Sequence, residues 1–430
     1  MSDLNSCYNR RCPGTVATAR GVINPVTESP GSMSKRYRMY PTVEQAQTMR
    51  VHVGQARFVW NLALEQCRHA RMLSQYADQK QWNRQLAEAR KEIDWLSEGS
   101  SSVQQAALRD LRQAFRNWWG NPAHFGAPSF RSRRKGGQGF VIRDLTITKI
   151  NHRWAEVTVP KCGRVRFRLS RPLGDHKSAR VTLDRSGRWH VSFVGLQTAV
   201  EREPTGAVVG VDRGVTDTIA TSDGARLSCP GLSERERARK KRLQRKMARQ
   251  VKGSNRREVT KRAIAKLDAR ESDRRKDFVE KTSTWLVRDH DLIVFEDLRV
   301  RNMMASASGT IDQPGRNVAQ KRGLNRAIAA QGWTMLHQRT QEKAEASEGV
   351  CVVDIPAAFT SQRCSVCGHT EAGNRRGKRF KCQQCGRVDD ADVNAGKNIL
   401  AAGLVATGRG GTAQSRPPCE TSTPDLEVAR

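Results

Sequence analysis

Acidic residues are scarce in this chain: 43 Asp and Glu stand against 76 Lys and Arg in 430 residues, a formal charge of +33. Long apolar runs are missing as well. No stretch approaches the roughly 20 apolar residues that a membrane-spanning helix requires, and none follows the N-terminus as a secretory signal would. These absences exclude an integral membrane protein and an exported one, so a cytoplasmic, nucleoid-associated location is expected. Cysteine pairs are also rare. Cys7 and Cys12 have no second pair, which argues against a metal site there, and Cys67, Cys162, Cys229 and Cys351 lack C-x-x-C partners and read as small core residues. A positive excess this large, spread along the chain and not gathered in a tail, calls for a polyanionic partner. Nucleic acid is the economical one.

The strongest local signal is present between 364 and 400, CSVCGHTEAGNRRGKRFKCQQCGRVDDADVNAGKNIL. Cys364, Cys367, Cys382 and Cys385 form two C-x-x-C knuckles separated by fourteen residues, a spacing that lets four thiolates converge on one tetrahedral zinc. Gly368 and Gly386 follow the knuckles and permit the left-handed turn that aims backbone amides at sulfur. Asp389 or Asp390 can cap the helix that comes next. On it Asp392, Ala395 and Ile399 share a face, which puts a carboxylate in a first turn that favours the anion. Taken alone, that carboxylate reads more readily as a capping or dipole residue.

At 430 residues the chain has room for two to four domains. Residues 1 to 32 lack hydrophobic periodicity and read as a disordered extension, and the Gly-, Thr-, Ser- and Pro-rich end from 406 to 430 reads as a disordered tail. KRYRMY alternates like a strand until Pro41, and Thr42 with Gln45 then opens a helix whose stripe is Met49, Val53, Ala56, Trp60, Leu64 and Cys67. Ser102 with Gln105 predicts a second start, with Leu108, Leu111, Phe115 and Trp118 inward. Beyond an Arg- and Gly-rich loop, FVIRDLTI, AEVTVP, RVRFRL, ARVTLD and WHVSFVGL read as short strands, with a hairpin turn at Asp184 to Gly187. With the strand before Pro41 they predict a small β-barrel that carries the helices as an insertion.

AVVGVD, 207 to 212, is a buried strand that ends in a carboxylate. Ser233 with Glu236 starts a long helical region interrupted near 253 to 255. From Glu234 to Asp277 it holds 19 Lys and Arg against seven Asp and Glu, an excess that favours a nucleic-acid backbone. Val259, Ala263, Ile264, Leu267, Phe278, Thr282 and Trp285 are expected inward. DLIVFEDL, 291 to 298, is a central strand with Leu292, Val294 and Glu296 on one face. An amphipathic helix from Leu324 to Ala346, with Ile328, Met335 and Leu336 inward, and a buried strand, GVCVVDI, lead to the zinc knuckles. Strand, hairpin, helix, strand, helix, strand and helix predict a mixed sheet covered by helices. Three acids emerge from it: Asp212, Glu296 and Asp392. Neighbouring carboxylates repel one another unless cations neutralise them, and hard oxygen ligands select Mg2+ or Mn2+. A pair of such ions suits phosphodiester hydrolysis.

KRYRMYPTVEQ, FRSRRKGGQGF, VPKCGRV, RPLGDHKSARVTLDRSGRWHVSFV, GVDRGV, IVFEDL, TSQRCSVCGH, CQQCG and DADVNAGKNIL together resemble the transposon-encoded TnpB (OrfB) family, compact relatives of type V CRISPR effectors, from Met33 to Val405. The resemblance implies a multidomain α+β protein. Its parts would be a wedge β-barrel (33–42 and 130–203) with an inserted helical recognition lobe (43–129), and an RNase H-like (RuvC) α/β nuclease domain (206–356 and 389–405) with an inserted zinc ribbon (357–388). It places the metal-binding catalytic acids on Asp212, Glu296 and Asp392, choosing Asp392 where the residues alone left Asp390 open, and the structural zinc on Cys364, Cys367, Cys382 and Cys385. It further implies an RNA-guided double-stranded DNA endonuclease of an insertion sequence, using Mg2+ or Mn2+, a guide RNA and a target-adjacent DNA motif; whether one or two copies assemble is left open by the sequence, with a monomer favoured. A type V CRISPR effector shares this chemistry and differs by a neighbouring repeat array. A D, D, E transposase has a different acid order, and a guide-directed repressor that binds without cutting has no use for three carboxylates facing an anionic backbone.

Overall fold

The computed structural model describes residues 32–72, 79–133, 138–173, 176, 178–196, 199–310 and 313–408. The readings of 1–32 and 406–430 fall outside them apart from Ser32 and 406–408, as do Cys7, Cys12 and positions 134–137 of the Arg- and Gly-rich loop.

The alternating segment before Pro41 forms β1 (Ser32–Arg38), and Thr42 and Gln45 exchange backbone-to-side-chain hydrogen bonds of 3.0 and 3.3 Å at the start of α1 (Val43–Met72). Met49, Val53, Ala56, Trp60 and Leu64 of its stripe are buried, with Cys67 half-buried. After α2 (Gln79–Glu92) and α3 (Asp94–Ser97) comes α4 (Ser101–Gly120). Its cap is Ser100, not Ser102: Ser100 keeps an extended backbone and its hydroxyl accepts from Val103 N, whereas Ser102 lies inside the first turn.

FVIRDLTI breaks at exposed Arg143 and Asp144, so it supplies two strands where the pattern predicts one. These are β2 (Gln138–Ile142) and β3 (Ile147–Asn151); β4 (Trp154–Val159), β5 (Gly163–Arg168), β6 (Ala179–Leu183) and β7 (Trp189–Leu196) follow. They make two antiparallel sheets, β1-β7-β6-β2 and β3-β4-β5, bridged at Met39 and Phe167. Alternation sends Tyr37, Val157, Phe167, Val181, Val191 and Phe193 inward, where they share one core with the stripes of α1 and α4. Arg164, Arg166 and Arg168 point outward from β5.

A third, five-stranded sheet runs β10 (Arg226–Leu227), β9 (Ile219–Thr221), β8 (Val208–Asp212), β11 (Leu292–Glu296), β12 (Cys351–Ile355), with β8, β11 and β12 parallel and β9 antiparallel to β8. One face packs Val209, Val211, Ile293 and Phe295 against α6 (Asn255–Asp289) and α9 (Trp333–Glu345). Before α6 stands α5 (Glu234–Ala248), opened by the full Ser233 and Glu236 capping box. α7 (Val300–Met303) and α8 (Val318–Gln331) precede α9. Three expectations are corrected here. Val259 is exposed and Thr260 takes its place, because α6 turns 260, 264 and 267 inward. The helix expected over 324 to 346 is two helices broken at Gly332, and the break leaves Met335 exposed while Trp333 and Leu336 are buried. β12 is an edge strand, half-buried and not buried, with Asp354 exposed.

The other face of the sheet receives α10 (Ala391–Ala406), reached through a three-stranded ribbon of β13 (Arg375–Arg376), β14 (Arg379–Lys381) and β15 (Val388–Asp390). α10 lies almost on the backbone of β8: a Cβ at Gly210 would stand 2.1 Å from Gly396 O and 2.6 Å from Leu400 N. Only glycine allows that approach, and it sets the height of the helix over the sheet. The whole is a mixed α+β, multidomain arrangement, and no helix among the described residues is long and apolar enough to cross a membrane.

Candidate functional site

Strand alternation decides which side chains meet. Val208, Gly210 and Asp212 on β8, and Leu292, Val294 and Glu296 on β11, point toward α10, and the two strands run parallel with Val211 beside Phe295. On α10, Asp392 lies one turn before Gly396 and so on the same side of the helix. The glycine contact therefore brings the first turn of α10 over the C-terminal ends of β8 and β11. Asp390 caps that turn, its Oδ1 accepting from Asp392 N and Val393 N, and leaves the Asp392 carboxylate for the sheet side.

Asp212, Glu296 and Asp392 thus converge from 180 residues of sequence. Burial pushes the Asp212 carboxyl up to about 7, and the charges of Glu296 and then Asp392 push in the same direction. Glu296 is only 6% exposed; burial raises its pKa, against a hydrogen bond from Thr360 Oγ1 to its Oε1 at 2.5 Å and the charges of Arg213 and Arg375. Asp392 Oδ1 accepts from Arg375 Nη2 at 2.7 Å. Among the described residues the cysteine quartet is the one group of three or more metal-type ligands whose atoms all lie within 4.8 Å; the three carboxylates are set wider, with one oxygen each of Glu296 and Asp392 turned to Thr360 and Arg375.

A raised carboxyl pKa links stability to pH. Asp212 is protonated more readily in the folded chain than in the unfolded one, so its contribution to stability is complete below about pH 4 and is lost as pH rises to 7. In metal-free buffer, Asp212→Asn is expected to equal wild type near pH 4 and to exceed it by about 2 to 4 kcal/mol at pH 8, read from urea unfolding. Equal stabilities at pH 8 would remove the electrostatic account of this site.

In the ribbon, Cys364 Sγ lies 3.7 Å from Cys385 Sγ, and Cys367 Sγ 3.5 Å from Cys382 Sγ. Sulfurs at the corners of a zinc tetrahedron with bonds of about 2.3 Å are about 3.8 Å apart, so the four thiols fit that ion. Gly368 (φ 78°) and Gly386 (φ 73°) take the left-handed turn expected after each knuckle, and Cys385 N donates to Cys382 Sγ at 3.5 Å. Ligands from four protein thiols leave no open position for chemistry.

Five residues that sequence reasoning missed support the acids, and four of them tie the ribbon to the sheet and α10. Asn394 Nδ2 and Asn398 Nδ2 donate to Arg363 O at 2.8 and 2.6 Å, Asn398 also reaches Thr360 O, and Asn394 Oδ1 accepts from Ser365 N. Thr360 reaches Glu296 and Arg375 reaches Asp392 as above. Buried Arg213 donates to Glu296 O and lies over the Phe295 ring, 5.4 Å from its centroid. Two buried Asn at i, i+4 on a mostly apolar helix were the available signal: amides there demand partners. The half-buried state of Cys67, Cys162, Cys229 and Cys351 departs from the core reading only in degree.

Three family profiles match the chain: OrfB_IS605, described as "Probable transposase", over residues 190–307, the Cas12f1-like TNB domain over 333–399, and a helix-turn-helix domain over 33–73. The chain is 35% identical over 399 residues to "Putative RNA-guided DNA endonuclease InsQ" of Escherichia coli K12, spanning 91% of this chain and 97% of that one. It is 35% identical over 387 residues to "Putative RNA-guided DNA endonuclease" of Streptomyces pristinaespiralis, spanning 87% and 90%. A chain in a cryo-EM structure of a Cas12f1-sgRNA-target DNA complex covers 84% of this chain and 83% of its own at a TM-score of 0.48 and 12% identity, too slight a likeness to argue from. With more than a third of positions shared along nearly the full length of the Escherichia coli protein, the chain belongs to the TnpB (OrfB) family.

Proposed function

We propose that this protein is an RNA-guided endonuclease that hydrolyses double-stranded DNA at a RuvC-like site made by Asp212, Glu296 and Asp392. The observation that carries the reading is the convergence of those acids at neighbouring strand ends under the first turn of α10, where burial and mutual repulsion hold Asp212 near neutrality. Repulsion of this kind is kept in a fold when cations relieve it. Two ions about 3.5 to 4 Å apart span a wider site than one, which suits carboxylates that do not close to single-ion spacing. Mg2+ or Mn2+ bound there would activate a water and stabilise the departing oxygen of a phosphodiester. Asp212 and Glu296 would hold the ions from the sheet and Asp392 from the helix, while Thr360 and Arg375 orient the two that they bond.

The same reading assigns the two-sheet module as the wedge, the helices of 43–129 as the recognition lobe, the β8 to β12 sheet with α10 as an RNase H-like domain, and the cysteine ribbon as its zinc-bound insertion. Sequence readout by base pairing suits a protein whose charge of +33 is spread over several modules. A cytoplasmic, nucleoid-associated monomer is consistent with this. The test is to purify the protein from its native locus, sequence the RNA that accompanies it, and offer a plasmid matched to that RNA with magnesium. A discrete bound RNA and cleavage of the matched plasmid alone are expected. Bound RNA without cleavage would favour a guide-directed binder, and no bound RNA would end the proposal.

A further inference from the structure

Thr360, whose hydroxyl bonds Glu296, follows a residue in an unusual state. Phe359 has a φ of 63°, in the left-handed region that a β-carbon disfavours. Among the described residues, Lys161, in the tight turn between β4 and β5, and Asn317, at the start of α8, are the other non-glycine residues of positive φ, and neither carries a ring. Phe359 is also 65% exposed, more than any other Phe, Tyr or Trp among the described residues. Six more aromatic side chains are over a third exposed, and each has a ring or a guanidinium beside it, as Tyr40 has Trp154 at 5.1 Å and Phe130 has Arg68 at 4.3 Å. The Phe359 ring has no such partner among the described residues.

The turn that imposes this state is held from both sides. Phe359 O accepts from Gln362 N and Arg363 N at 3.0 Å each, Thr360 Oγ1 also donates to Ala357 O at 3.3 Å, and Thr360 O takes Asn398 Nδ2 of α10 at 2.9 Å. Thr360 itself is buried, with its hydroxyl on Glu296. The backbone of Phe359 is thus fixed against α10 and against one of the three acids. Glycine at 359 would make the turn without strain, and a polar side chain would suit the exposure. Phenylalanine answers neither demand, and a strained backbone over-determined by its surroundings is a mark of ligand contact.

We propose that the Phe359 ring is a stacking platform for an unpaired nucleobase next to the scissile phosphodiester of the DNA strand being cut. Carboxylates and their ions grip phosphate oxygens, and every phosphate of a strand offers the same oxygens, so that grip alone leaves the strand free to slide. A base stacked on the residue beside Thr360 would fix which phosphate stands at the acids. Any base presents a π-face, so the contact sets position and not sequence, as suits a protein whose sequence readout is left to pairing. The assignment to the cut strand and not to a retained RNA follows from place: the turn is bonded to Glu296 and to α10, on the face of the sheet that carries the acids.

The inference rests on the nuclease reading, and its test separates the two. The full chain with its co-purifying RNA is given matched duplex and magnesium, and single-turnover cleavage is followed for wild type, Phe359→Gly and Phe359→Trp. Phe359→Gly should cleave about tenfold more slowly and Phe359→Trp within about threefold of wild type, while guide-RNA retention stays within about twofold for both. The urea midpoint of Phe359→Gly should be no lower than that of wild type, because glycine takes the positive φ freely and the ring buries little. A second series needs no variant to fold: single abasic sites are walked across the nucleotides flanking the cut. Wild type should slow about tenfold at one position, and Phe359→Gly should slow no further there, since the base and the ring are two halves of one contact. Wild-type rates for Phe359→Gly, or abasic and glycine effects that multiply at every position, overturn the proposal. A loss of RNA retention that matches the loss of cleavage would move the ring to the guide and overturn its assignment to DNA. No cleavage of the matched duplex by wild type would instead fail the parent reading.

Discussion

Asp212→Ala is expected to abolish magnesium-dependent cleavage of a matched duplex, by roughly 1,000-fold or more, while guide-RNA retention and target binding stay within about threefold. Asp212 is the acid on which the other two charges converge, and it ends the strand that Gly210 holds against α10, so no neighbouring carboxylate can slide into its place. The loss cannot be explained by unfolding, since removing a buried charge that is opposed by its neighbours stabilises the metal-free protein above pH 7. Glu296→Ala and Asp392→Ala should match it in cleavage. They differ in what they release: the first leaves Thr360 Oγ1 without its acceptor, the second frees Arg375. Thr360→Val should cost less, about tenfold, because it removes the bond that orients a ligand and keeps the ligand. Cleavage measured as single-turnover rates against binding by filter retention separates these effects. A fully active Asp212→Ala would refute the site.

The second large effect concerns the cysteine quartet, which would hold its ion without taking part in the chemistry. Cys364→Ser, or zinc removal by a chelator, should lower cleavage by about 100-fold or more and release the ribbon as a locally unfolded segment, because zinc-binding free energy is folding free energy in so small a unit. The ribbon buries only Cys364, Phe380, Cys382 and Ala391 as an apolar cluster of its own, too little to hold it closed unaided. Its loss reaches the acids along bonds already named. Asn394 and Asn398 lose the carbonyls of Arg363 and Thr360, Thr360 no longer orients Glu296, and Arg375 leaves Asp392. Lys378, which bonds Asp217 at 2.5 Å, and Arg226, which bonds Asp390 at 2.7 Å, would also be lost as ties between ribbon and sheet. Guide-RNA retention should persist, since the charged hairpin of α5 and α6 and the two-sheet module do not depend on the ribbon. Zinc content by mass spectrometry, ribbon protection by hydrogen exchange and cleavage rate should fall together; full cleavage by zinc-free protein would show that the ribbon does not position the site.

The partition of charge in α5 explains why that hairpin is suited to a polyanion. Glu236 takes Arg270 and Arg274, and Lys240 takes Asp268 and Glu271, so three of the seven acids from 234 to 277 are paired between the two helices. α5 buries none of its own residues, and the remaining cations face outward. Exposed pairs of this kind contribute little to stability, which fits a surface whose charges serve binding.

Local rules made a large part of this molecule legible before any coordinates. Period-two runs became strands, the Thr42 and Ser233 boxes became helix starts, and the knuckle glycines took the turns expected of them, because each depends on a few adjacent residues and on backbone sterics. Errors arose where a neighbour in sequence competed or where packing chose. Ser100 outbid Ser102 for one cap, and α6 turned Thr260 inward in place of Val259, since the rotation of a 35-residue helix is set by what it packs on and not by its own periodicity.

By itself the sequence determined the ligand types, the strand faces on which Asp212 and Glu296 lie, the charge excess of the 234–277 hairpin and the thiol spacing, all of which are properties of residue identity and short-range order. Only the tertiary structure decided that the first turn of α10 sits over the ends of β8 and β11, and that Arg375 and Thr360 bond two of the acids. The physical reason is that those meetings are set by one backbone approach, Gly210 against Gly396, and by contacts between residues far apart in sequence, whose geometry no local pattern contains.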